Sequence, residues 1–330
     1  MTLSLGSLLS SVQAQMDAIP YLPFGLQVFG ALSLATAISG TLSFVFSNFV
    51  RPGISLKKFG ASKGAWAVVT GASDGIGREF AIQLARAGFN VLLAARNQAK
   101  LDAVVADIAK VASAVQTKTF VIDFASADDA KWEALLGELK PIEVGVLVNC
   151  VGVSHEFPTD FVDTSEEELN TIVGVNVSAT LRVTSLIAPA MVSRKKGLIL
   201  NMGSFAGASP TPMLAVYSGS KAFLRTWSDA LSAELTPKGI TVEHVNTYFV
   251  TSAMSKIRRP SLFIPTPKAF VRSVLAKLAP GTVTPYWSHA LVGAAMALAP
   301  PQAVLGYVHS LQKDTRRRAL AKRARLAKQE

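Results

Sequence analysis

Short apolar runs alternate with longer segments of helical periodicity through the middle of the chain. The runs are rich in β-branched residues, which is typical of buried strands. They begin near Ala65, Asn90, Thr119, Val144, Gly197 and Thr241. This alternation predicts a doubly wound α/β fold, in which helices cover both faces of a parallel sheet. Ligands of such sheets bind beyond the carboxyl ends of the strands.

The N-terminal part of the chain has a different pattern. Residues 18–50 contain no charged side chain, and residues 26–50 are long enough to cross a bilayer as one helix. Arg51, Lys57 and Lys58 follow directly, so the positive-inside rule places the C-terminal side in the cytosol. We interpret residues 26–50 as a transmembrane helix, with an interfacial or buried helix as the alternative. Residues 1–25 are then a polar lumenal segment, and residues 51–63 a basic linker.

The C-terminal part is apolar and then basic. Residues 281–312 carry no charge, and Pro300-Pro301 divides them into pieces too short to span a bilayer singly. Two interpretations stay open: a membrane-associated segment, or the last strand and helix of the folded core. Residues 313–330 hold eight basic and two acidic residues, more than half of the net charge of +11. No aromatic residue or nucleic-acid motif accompanies this tail, so we expect contact with anionic lipid, or a solvated helix, rather than nucleic acid.

Composition excludes two kinds of site. One cysteine cannot form an intrachain disulfide or a cysteine-rich metal site. The four histidines are scattered without metal-ligand spacing, so no metal is expected. We interpret Cys150 as a packing residue, and favour a structural role for His155 over a contact with substrate.

A glycine-rich turn follows the first predicted strand. Residues 70–77 read Thr-Gly-Ala-Ser-Asp-Gly-Ile-Gly, and a helix is predicted from Ile76 to Ala87 with Gly88 at its C-terminal end. Glycines permit a tight turn and close approach to a pyrophosphate, and the helix N-terminus attracts the anion. The turn therefore predicts a dinucleotide site. Its candidate contacts are Val68, Gly71, Ser73, Asp74, Ile76 and Gly77.

The end of the second strand distinguishes between the two nicotinamide cofactors. An NAD site has an acidic residue here, whereas this strand ends in Ala95-Arg96-Asn97. Arg96, with Lys100 one turn later, can hold a 2′-phosphate, which predicts NADP(H). Asp123 and Asn149 follow the third and fourth strands and are further candidate cofactor contacts.

The candidate chemistry lies further along the chain. Tyr217 and Lys221 are four residues apart, so on a helix they share one face, and Ser204 precedes Tyr217 by thirteen residues. An ammonium beside a phenol is expected to lower the phenol pKa, which suits proton transfer to a carbonyl oxygen. Ser204 would hydrogen-bond the same oxygen. Taken alone, such a pair is more often a surface pair on an amphipathic helix than a catalytic one, so the interpretation depends on the dinucleotide site upstream.

Together these motifs resemble the short-chain dehydrogenase/reductase family. The resemblance implies a Rossmann-type NADP-binding reductase domain over residues 64–280 and a catalytic tetrad of Asn176, Ser204, Tyr217 and Lys221. It also implies nicotinamide contacts from Val250 and Ser252. This sequence differs from the family's Asn-Asn-x-Gly element, because Cys150 stands in the second position. The difference puts one polar contact near the adenosine in doubt.

Residues 149–155 and 200–204, with the apolar N-terminal segment, are most similar to a microsomal branch of that family. This implies NADPH-dependent reduction of very-long-chain 3-oxoacyl-CoA to 3-hydroxyacyl-CoA in fatty acid elongation. It also implies a single-pass protein of the endoplasmic reticulum membrane with a cytosolic catalytic domain. The expected partners are the acyl-CoA and membrane lipids, and other elongation enzymes are candidates.

Three alternatives stay open. They are a 17-beta-hydroxysteroid or other lipid ketone dehydrogenase of the same branch, a non-catalytic membrane adaptor, and a location at lipid droplets or peroxisomes. Residues 251–277, rich in proline and basic residues, are hypothesised to form a substrate lid.

Overall fold

The computed structural model describes residues 21–327 and, nearer the N-terminus, residues 6, 10–12, 14 and 15. The chain divides into two compact units, Met1–Arg51 and Pro52–Glu330. The predicted lumenal segment therefore lies mostly outside the described residues.

The first unit contains helix α1 (Leu22–Val45), which continues as a π-helical turn to Val50. Over Leu22–Val50 this helix is long and apolar enough to cross a membrane, and none of its hydrophobic window is buried. The hydroxyls of Thr36 and Thr41 donate hydrogen bonds to the backbone carbonyls of Leu32 and Ala37, at 2.7 and 2.9 Å. These polar residues are therefore compatible with an apolar environment. The helix begins four residues before the predicted start at residue 26.

The second unit is built on a seven-stranded sheet with strand order β3-β2-β1-β4-β5-β6-β7, in which all neighbours are parallel. The strands are β1 (Trp66–Thr70), β2 (Asn90–Ala95), β3 (Thr117–Val121), β4 (Val144–Asn149), β5 (Gly197–Met202), β6 (Ile240–Val245) and β7 (Gly281–Val283). The predicted doubly wound fold and its six strands are confirmed. The seventh strand, β7, lies in residues 281–312, where a last strand of the core was one of the two interpretations left open.

Helices follow the strands, as right-handed crossovers between parallel strands require. They are α2 (Gly75–Arg86), α3 (Gln98–Val111), α4 (Asp129–Leu139), α5 (Glu166–Val173), α6 (Ala179–Ser193), α7 (Phe205–Ala208), α8 (Ala215–Leu235), α9 (Pro267–Ala276), α10 (Trp287–Leu298) and α11 (Pro301–Leu326). A π-helical turn, Gly174–Ser178, joins α5 to α6. The continuous stretch Glu166–Ser193 is also long and apolar enough to cross a membrane, but 44% of its window is buried, as expected for a core helix.

Two hydrophobic clusters lie on opposite faces of the sheet. Successive residues of β1 alternate between them: Ala67 and Val69 belong to the first cluster, and Trp66 and Val68 to the second. This follows from the two-residue period of a strand. All five residues of β1 are buried, as in a sheet that is covered on both faces.

Two predicted segment boundaries change in the structure. Residues 51–63 are not a free linker, because Gly53 and Ile54 donate to the carbonyls of Ala276 and Leu278, and Phe59 is fully buried in the core. Residue 280 does not end the reductase domain, because β7 pairs with β6 beyond it. The first part of residues 281–312 is therefore the last strand of the core, as one of the two interpretations held. Pro300 separates α10 from α11, as expected.

Candidate active site

The glycine-rich turn forms a tight concave loop at the carboxyl end of β1. Gly71 and Gly75 have φ of +67° and +56°, which favours glycine. A Cβ on Gly71 would lie 2.9 Å from the Cα of Val151, and one on Gly77 would overlap the carbonyl oxygen of Gly71. Any side chain at these positions would therefore fill the loop. Asp74 caps α2 by accepting a hydrogen bond from Gly75 N at 2.7 Å.

The Thr70 hydroxyl joins this loop to the end of β4. Its oxygen accepts from the backbone N–H groups of Cys150 and Val151, both at 3.1 Å, and it donates to Val148 O at 3.3 Å. The two strand ends that flank the centre of the sheet are therefore held side by side. Dinucleotides bind at this crossover point in doubly wound sheets.

Arg96 and Asp123 lie at the ends of β2 and β3, as predicted, and both are exposed. Arg96 forms no ion pair or hydrogen bond through its side chain with any described residue, so its guanidinium is available to a phosphate. Asn97 caps α3 by accepting from Lys100 N at 2.9 Å. The Asp123 carboxylate accepts from Ala125 N at 3.0 Å, which keeps it at the strand end.

Two residues predicted as cofactor contacts have side chains that point into the protein. Val68 lies in the middle of β1 with its side chain in the second hydrophobic cluster, two residues before the strand end. The Asn149 side chain points into the protein, where its Nδ2 donates to Asn201 Oδ1 at 2.8 Å and Thr184 Oγ1 at 2.9 Å. Its Oδ1 is buried and has no hydrogen-bond partner among the described residues. In both cases the strand alternation directs the side chain into the core.

Val250 and Ser252 follow β6, and Ser252 lies opposite the glycine-rich turn. A Cβ on Gly75 would be 3.6 Å from that of Ser252. Residues of both segments line a cleft of about 310 Å³: Asp74, Gly75, Arg78, Glu79, Thr251, Ser252, Thr266, Pro267 and Lys268. Ser73 and Ile76 lie in the turn and at the start of α2, and Ile76 packs against the first hydrophobic cluster.

The predicted tetrad residues converge at the carboxyl ends of β4 and β5. Tyr217 and Lys221 share one face of α8, and the Lys221 ammonium lies 5.8 Å from the Tyr217 ring centroid. Lys221 Nζ donates to Met202 O, at the end of β5, at 2.9 Å. Ser204, two residues later, lies close enough to the Tyr217 phenol to lower its pKa. Tyr217, Lys221 and Ser204 therefore form one cluster.

Asn176 completes the cluster from the π-helical turn. Its Nδ2 donates to Val153 O at 2.9 Å and Ser220 Oγ at 3.0 Å, and its Oδ1 accepts from Val153 N at 2.8 Å. A Cβ on Gly152 would lie 3.3 Å from Asn176 Oδ1 and 3.6 Å from Lys221 Nζ. Gly152 therefore leaves space between the amide and the ammonium.

The direction of the Tyr217 pKa differs from the prediction. Burial raises the pKa of Tyr217, and the nearby Ser204 hydroxyl offsets only part of this. Burial also lowers the pKa of Lys221 to about 8, because a charged ammonium is disfavoured there. The Lys221 ammonium donates to a carbonyl rather than to the phenol. Without ligand, Tyr217 therefore keeps its proton at neutral pH, as a proton donor must.

Sequence reasoning did not identify Ser220 and Met202 as parts of this cluster. Ser220 lies between Tyr217 and Lys221 in the sequence, so its proximity to Asn176 could have been suspected. Met202 contributes only its backbone carbonyl, for which a sequence contains no signal.

Two other polar residues near the site have structural roles. Burial raises the pKa of Cys150 to about 12, so its thiol stays protonated and unreactive. His155 is buried, with its Nδ1 3.2 Å from Glu168 Oε1, and burial lowers its pKa. No group of three or more potential metal ligands occurs among the residues that the structure describes.

The geometry fits a dinucleotide. The glycine cradle would be filled by any Cβ, the α2 N-terminus faces it, and Arg96 lies unpaired at the adjacent strand end. The residues that would hold the pyrophosphate and the 2′-phosphate are thus the backbone of the glycine-rich turn and Arg96.

Comparison with known proteins agrees with this site. The chain is 54% identical to a very-long-chain 3-oxoacyl-CoA reductase of Laccaria bicolor, over 94% of both chains. It is 56% identical to a protein of the same name from Coprinopsis cinerea, over 92% of both chains. A short-chain dehydrogenase from Sphingobium yanoikuyae, solved in complex with NADPH, is 26% identical with a TM-score of 0.60, covering 71% of this chain and 94% of that one.

The short chain dehydrogenase family profile matches residues 65–262, which include the glycine-rich turn and all four tetrad residues. The protein therefore belongs to the short-chain dehydrogenase family of oxidoreductases.

Proposed function

We propose that this protein reduces very-long-chain 3-oxoacyl-CoA to 3-hydroxyacyl-CoA with NADPH, as the ketone-reducing step of microsomal fatty acid elongation. The observation that carries the proposal is the Ser204–Tyr217–Lys221 cluster, with its buried lysine, beside the glycine cradle. The names of the Laccaria and Coprinopsis relatives support the substrate class, and their matches extend over nearly the whole chain.

Each residue of the cluster has a defined task. Tyr217 donates its phenolic proton to the ketone oxygen, and Ser204 hydrogen-bonds that oxygen and orients it. Lys221 keeps a positive charge near the phenol, which stabilises the phenolate after transfer. Asn176 holds the loop after β4 through its two bonds to Val153. When bound, NADPH supplies the hydride that reduces the carbonyl carbon.

Membrane attachment is part of the proposal. Helix α1 would span the endoplasmic reticulum membrane once, with the reductase unit in the cytosol. Exposed apolar residues of α10 and α11 support a second contact with lipid: Leu291, Leu298 at 88% exposure, Leu305, and Tyr307 at 69%. The basic end of α11 would lie against anionic headgroups. Other elongation enzymes are proposed partners at this membrane.

Topology is tested with glycosylation acceptor sites added at either end of the chain. We expect modification at the N-terminus only, and modification at the C-terminus would contradict a cytosolic reductase unit. For the second contact, we expect brominated lipids to quench the fluorescence that Leu298→Trp adds to the reconstituted protein. Absence of quenching would argue against it.

The segment after β6 is proposed as the substrate lid. It folds back through a bridge between Ser252 and Ile257, and Lys256 Nζ donates to Glu156 O at 2.6 Å, in the loop that follows β4. Arg258 and Arg259 are exposed and form no ion pair with any described residue, so they are available to the phosphates of CoA. Leu262 and Phe263 are 62% and 42% exposed and are proposed to line the acyl path.

Charge reversal tests the lid. Arg258→Glu with Arg259→Glu is expected to raise KM for acyl-CoA about tenfold, because two charge contacts of about 0.7 kcal/mol each are lost. The control pair, Arg86→Glu with Lys238→Glu, makes the same charge change at exposed positions of α2 and the turn before β6. An unchanged KM in the lid variant would contradict its role.

The function itself is tested by NADPH oxidation with purified microsomal protein. A panel of 3-oxoacyl-CoAs of increasing chain length is compared with 17-ketosteroids and other lipid ketones. We expect turnover of long acyl-CoAs without competition from sterols. Turnover of steroids alone would favour the hydroxysteroid dehydrogenase alternative, and absence of any turnover would favour the adaptor.

A further inference from the structure

A buried histidine lies directly behind the turn that carries Ser204. His244 belongs to β6, is 1% exposed, and pairs in register with Asn201 of β5. Immediately after Asn201, the chain passes through Met202, Gly203 and Ser204 into the short helix α7. We call residues 202–204 the serine turn.

The His244 imidazole occupies the space that a side chain at position 203 would need. A Cβ built on Gly203 would overlap Nε2 and Cε1 of the ring and lie 3.0 Å from Cδ2. The φ of Gly203 is not positive, so its conformation is open to any residue. Glycine is therefore required here because of the imidazole, and not because of the backbone.

The opposite side of the ring is fixed by β7 and α8. His244 Nδ1 lies 3.3 Å from Thr282 Oγ1, and that hydroxyl is 2.8 and 3.0 Å from the two carboxylate oxygens of Asp229. Because the hydroxyl hydrogen goes to Asp229, Nδ1 carries the imidazole proton. Burial and the nearby Lys221 lower the pKa of His244 to about 4, so the ring is neutral. Nε2 has no hydrogen-bond partner among the described residues.

The serine turn joins the two halves of the reaction centre. Its first residue, Met202, accepts from Lys221 Nζ at 2.9 Å, and its last residue, Ser204, lies close enough to the Tyr217 phenol to lower its pKa. The β5–β6 ladder extends to Met202, which pairs with Val245. Beyond it, two backbone bonds hold the turn on the β6 side: Gly203 N to Val245 O and Phe205 N to Thr247 O, both 2.9 Å. The contact between Gly203 and the imidazole adds to this support, because it sets how closely the turn approaches β6.

We propose that His244 is a positioning residue, whose imidazole packs under Gly203 and fixes the serine turn so that Ser204 and Lys221 are correctly placed around Tyr217. His244 touches neither substrate nor cofactor. The inference rests on one part of the proposed function, that these residues reduce a ketone. It does not depend on which ketone is the substrate.

The proposal is tested by adding a side chain at position 203, removing the imidazole at position 244, and combining the two changes. Gly203→Ala is expected to lower kcat about 10²-fold, because the methyl group displaces the turn. His244→Ala removes the support and is expected to lower kcat about tenfold. In the double variant, the methyl group enters the vacated space, and kcat is expected to recover at least about tenfold over Gly203→Ala alone. Thr282→Val, which releases Nδ1, should lower kcat less than His244→Ala does.

The other measurements separate positioning from general damage. NADPH Kd, KM for the ketone and melting temperature should stay close to wild type while kcat falls. If Gly203→Ala is too unstable for a kcat measurement, the yield of folded protein is compared instead, and recovery in the double variant is again expected. Gly137→Ala, on the exposed side of α4 with open space around it, and His309→Ala, on α11, are the matched controls.

Two results would overturn the proposal: a fully active Gly203→Ala variant, or a double variant no better than Gly203→Ala alone. The assay uses any ketone that the wild-type protein reduces. If acyl-CoA is not reduced but another ketone is, the proposed substrate is wrong while the positioning test still stands.

Discussion

The reaction centre and the adenosine end of the cleft are built in opposite ways. Lys221 and Asn176 are buried, and both already hold defined hydrogen bonds within the protein. Arg96 and Asp123 are exposed, and the guanidinium of Arg96 binds no described residue. The chemical end is therefore assembled before any ligand arrives, whereas the recognition end acquires its contacts from the ligand. Changes at the first should affect turnover, and changes at the second should affect binding.

The largest expected effect is at Tyr217. Tyr217→Phe removes the proton donor and is expected to lower kcat about 10³-fold, with NADPH Kd nearly unchanged. Steady-state kinetics measure kcat, and fluorescence titration with NADPH measures its Kd. Tyr307→Phe, an exposed tyrosine of α11, is the control and should keep the wild-type rate. A Tyr217→Phe enzyme that turns over normally would show that the Ser204–Tyr217–Lys221 cluster is not the catalytic site.

Burial of Lys221 should be visible in stability. Its pKa is about 8, below the value of about 10.4 for a lysine in an unfolded chain. Between these values the unfolded chain binds more protons than the folded one at this position, so folding becomes more favourable as pH rises. Relative to Lys221→Met, the wild-type free energy of unfolding should increase by roughly 3 kcal/mol from pH 7 to 10.5.

Urea denaturation of the ligand-free protein measures this difference at each pH. Lys238→Met, at an exposed position, is the control, and its difference from wild type should not vary with pH. If the Lys221→Met difference is equally flat, the reaction centre does not bury its lysine as described.

A substitution at the adenosine end of the cleft should change cofactor affinity and leave turnover unchanged. Arg96→Glu is expected to raise the Kd for NADPH about 10²-fold, because a charge-assisted hydrogen bond worth about 2 to 3 kcal/mol is lost and repulsion is added. The Kd for NADH, which lacks the 2′-phosphate, should change little, and kcat at saturating NADPH should be kept. Arg86→Glu, exposed at the far end of α2, is the control. Equal losses for both cofactors would contradict a 2′-phosphate site at Arg96.

Most of the fold could be predicted from the sequence because its signals are local. The strand near Asn90 and the helix stop at Gly88 were predicted at their observed places, and Gly88 has the expected positive φ of 92°. The short strand β7 could be predicted only as one of two interpretations of residues 281–312, because a three-residue strand has no measurable periodicity. Phe59 was assigned to a linker, because nothing local indicates that its ring enters the core.

The site was predictable to the same extent. The positions of Ser204, Tyr217 and Lys221 follow from strand ends and helical spacing. The balance between burial and charge at Tyr217 depends on the whole fold, and so the predicted pKa direction was wrong. The same holds for His244, whose importance depends on β5, β6 and β7 meeting around one imidazole.

The inward-facing amide of Asn149 has a consequence for how the sheet assembles. It pairs with Asn201 on the neighbouring strand, and Asn201 in turn donates to Ser228 at 2.9 Å. The rest of β4 and β5 is almost wholly aliphatic and would tolerate sliding by two residues, which keeps every side chain on its own face. Such a slip would leave the amides of Asn149 and Asn201 buried without their hydrogen-bond partners, at a cost of about 1 to 3 kcal/mol each. The pairing of these two amides thus favours one register of β4 against β5 over the alternatives that their aliphatic residues would allow.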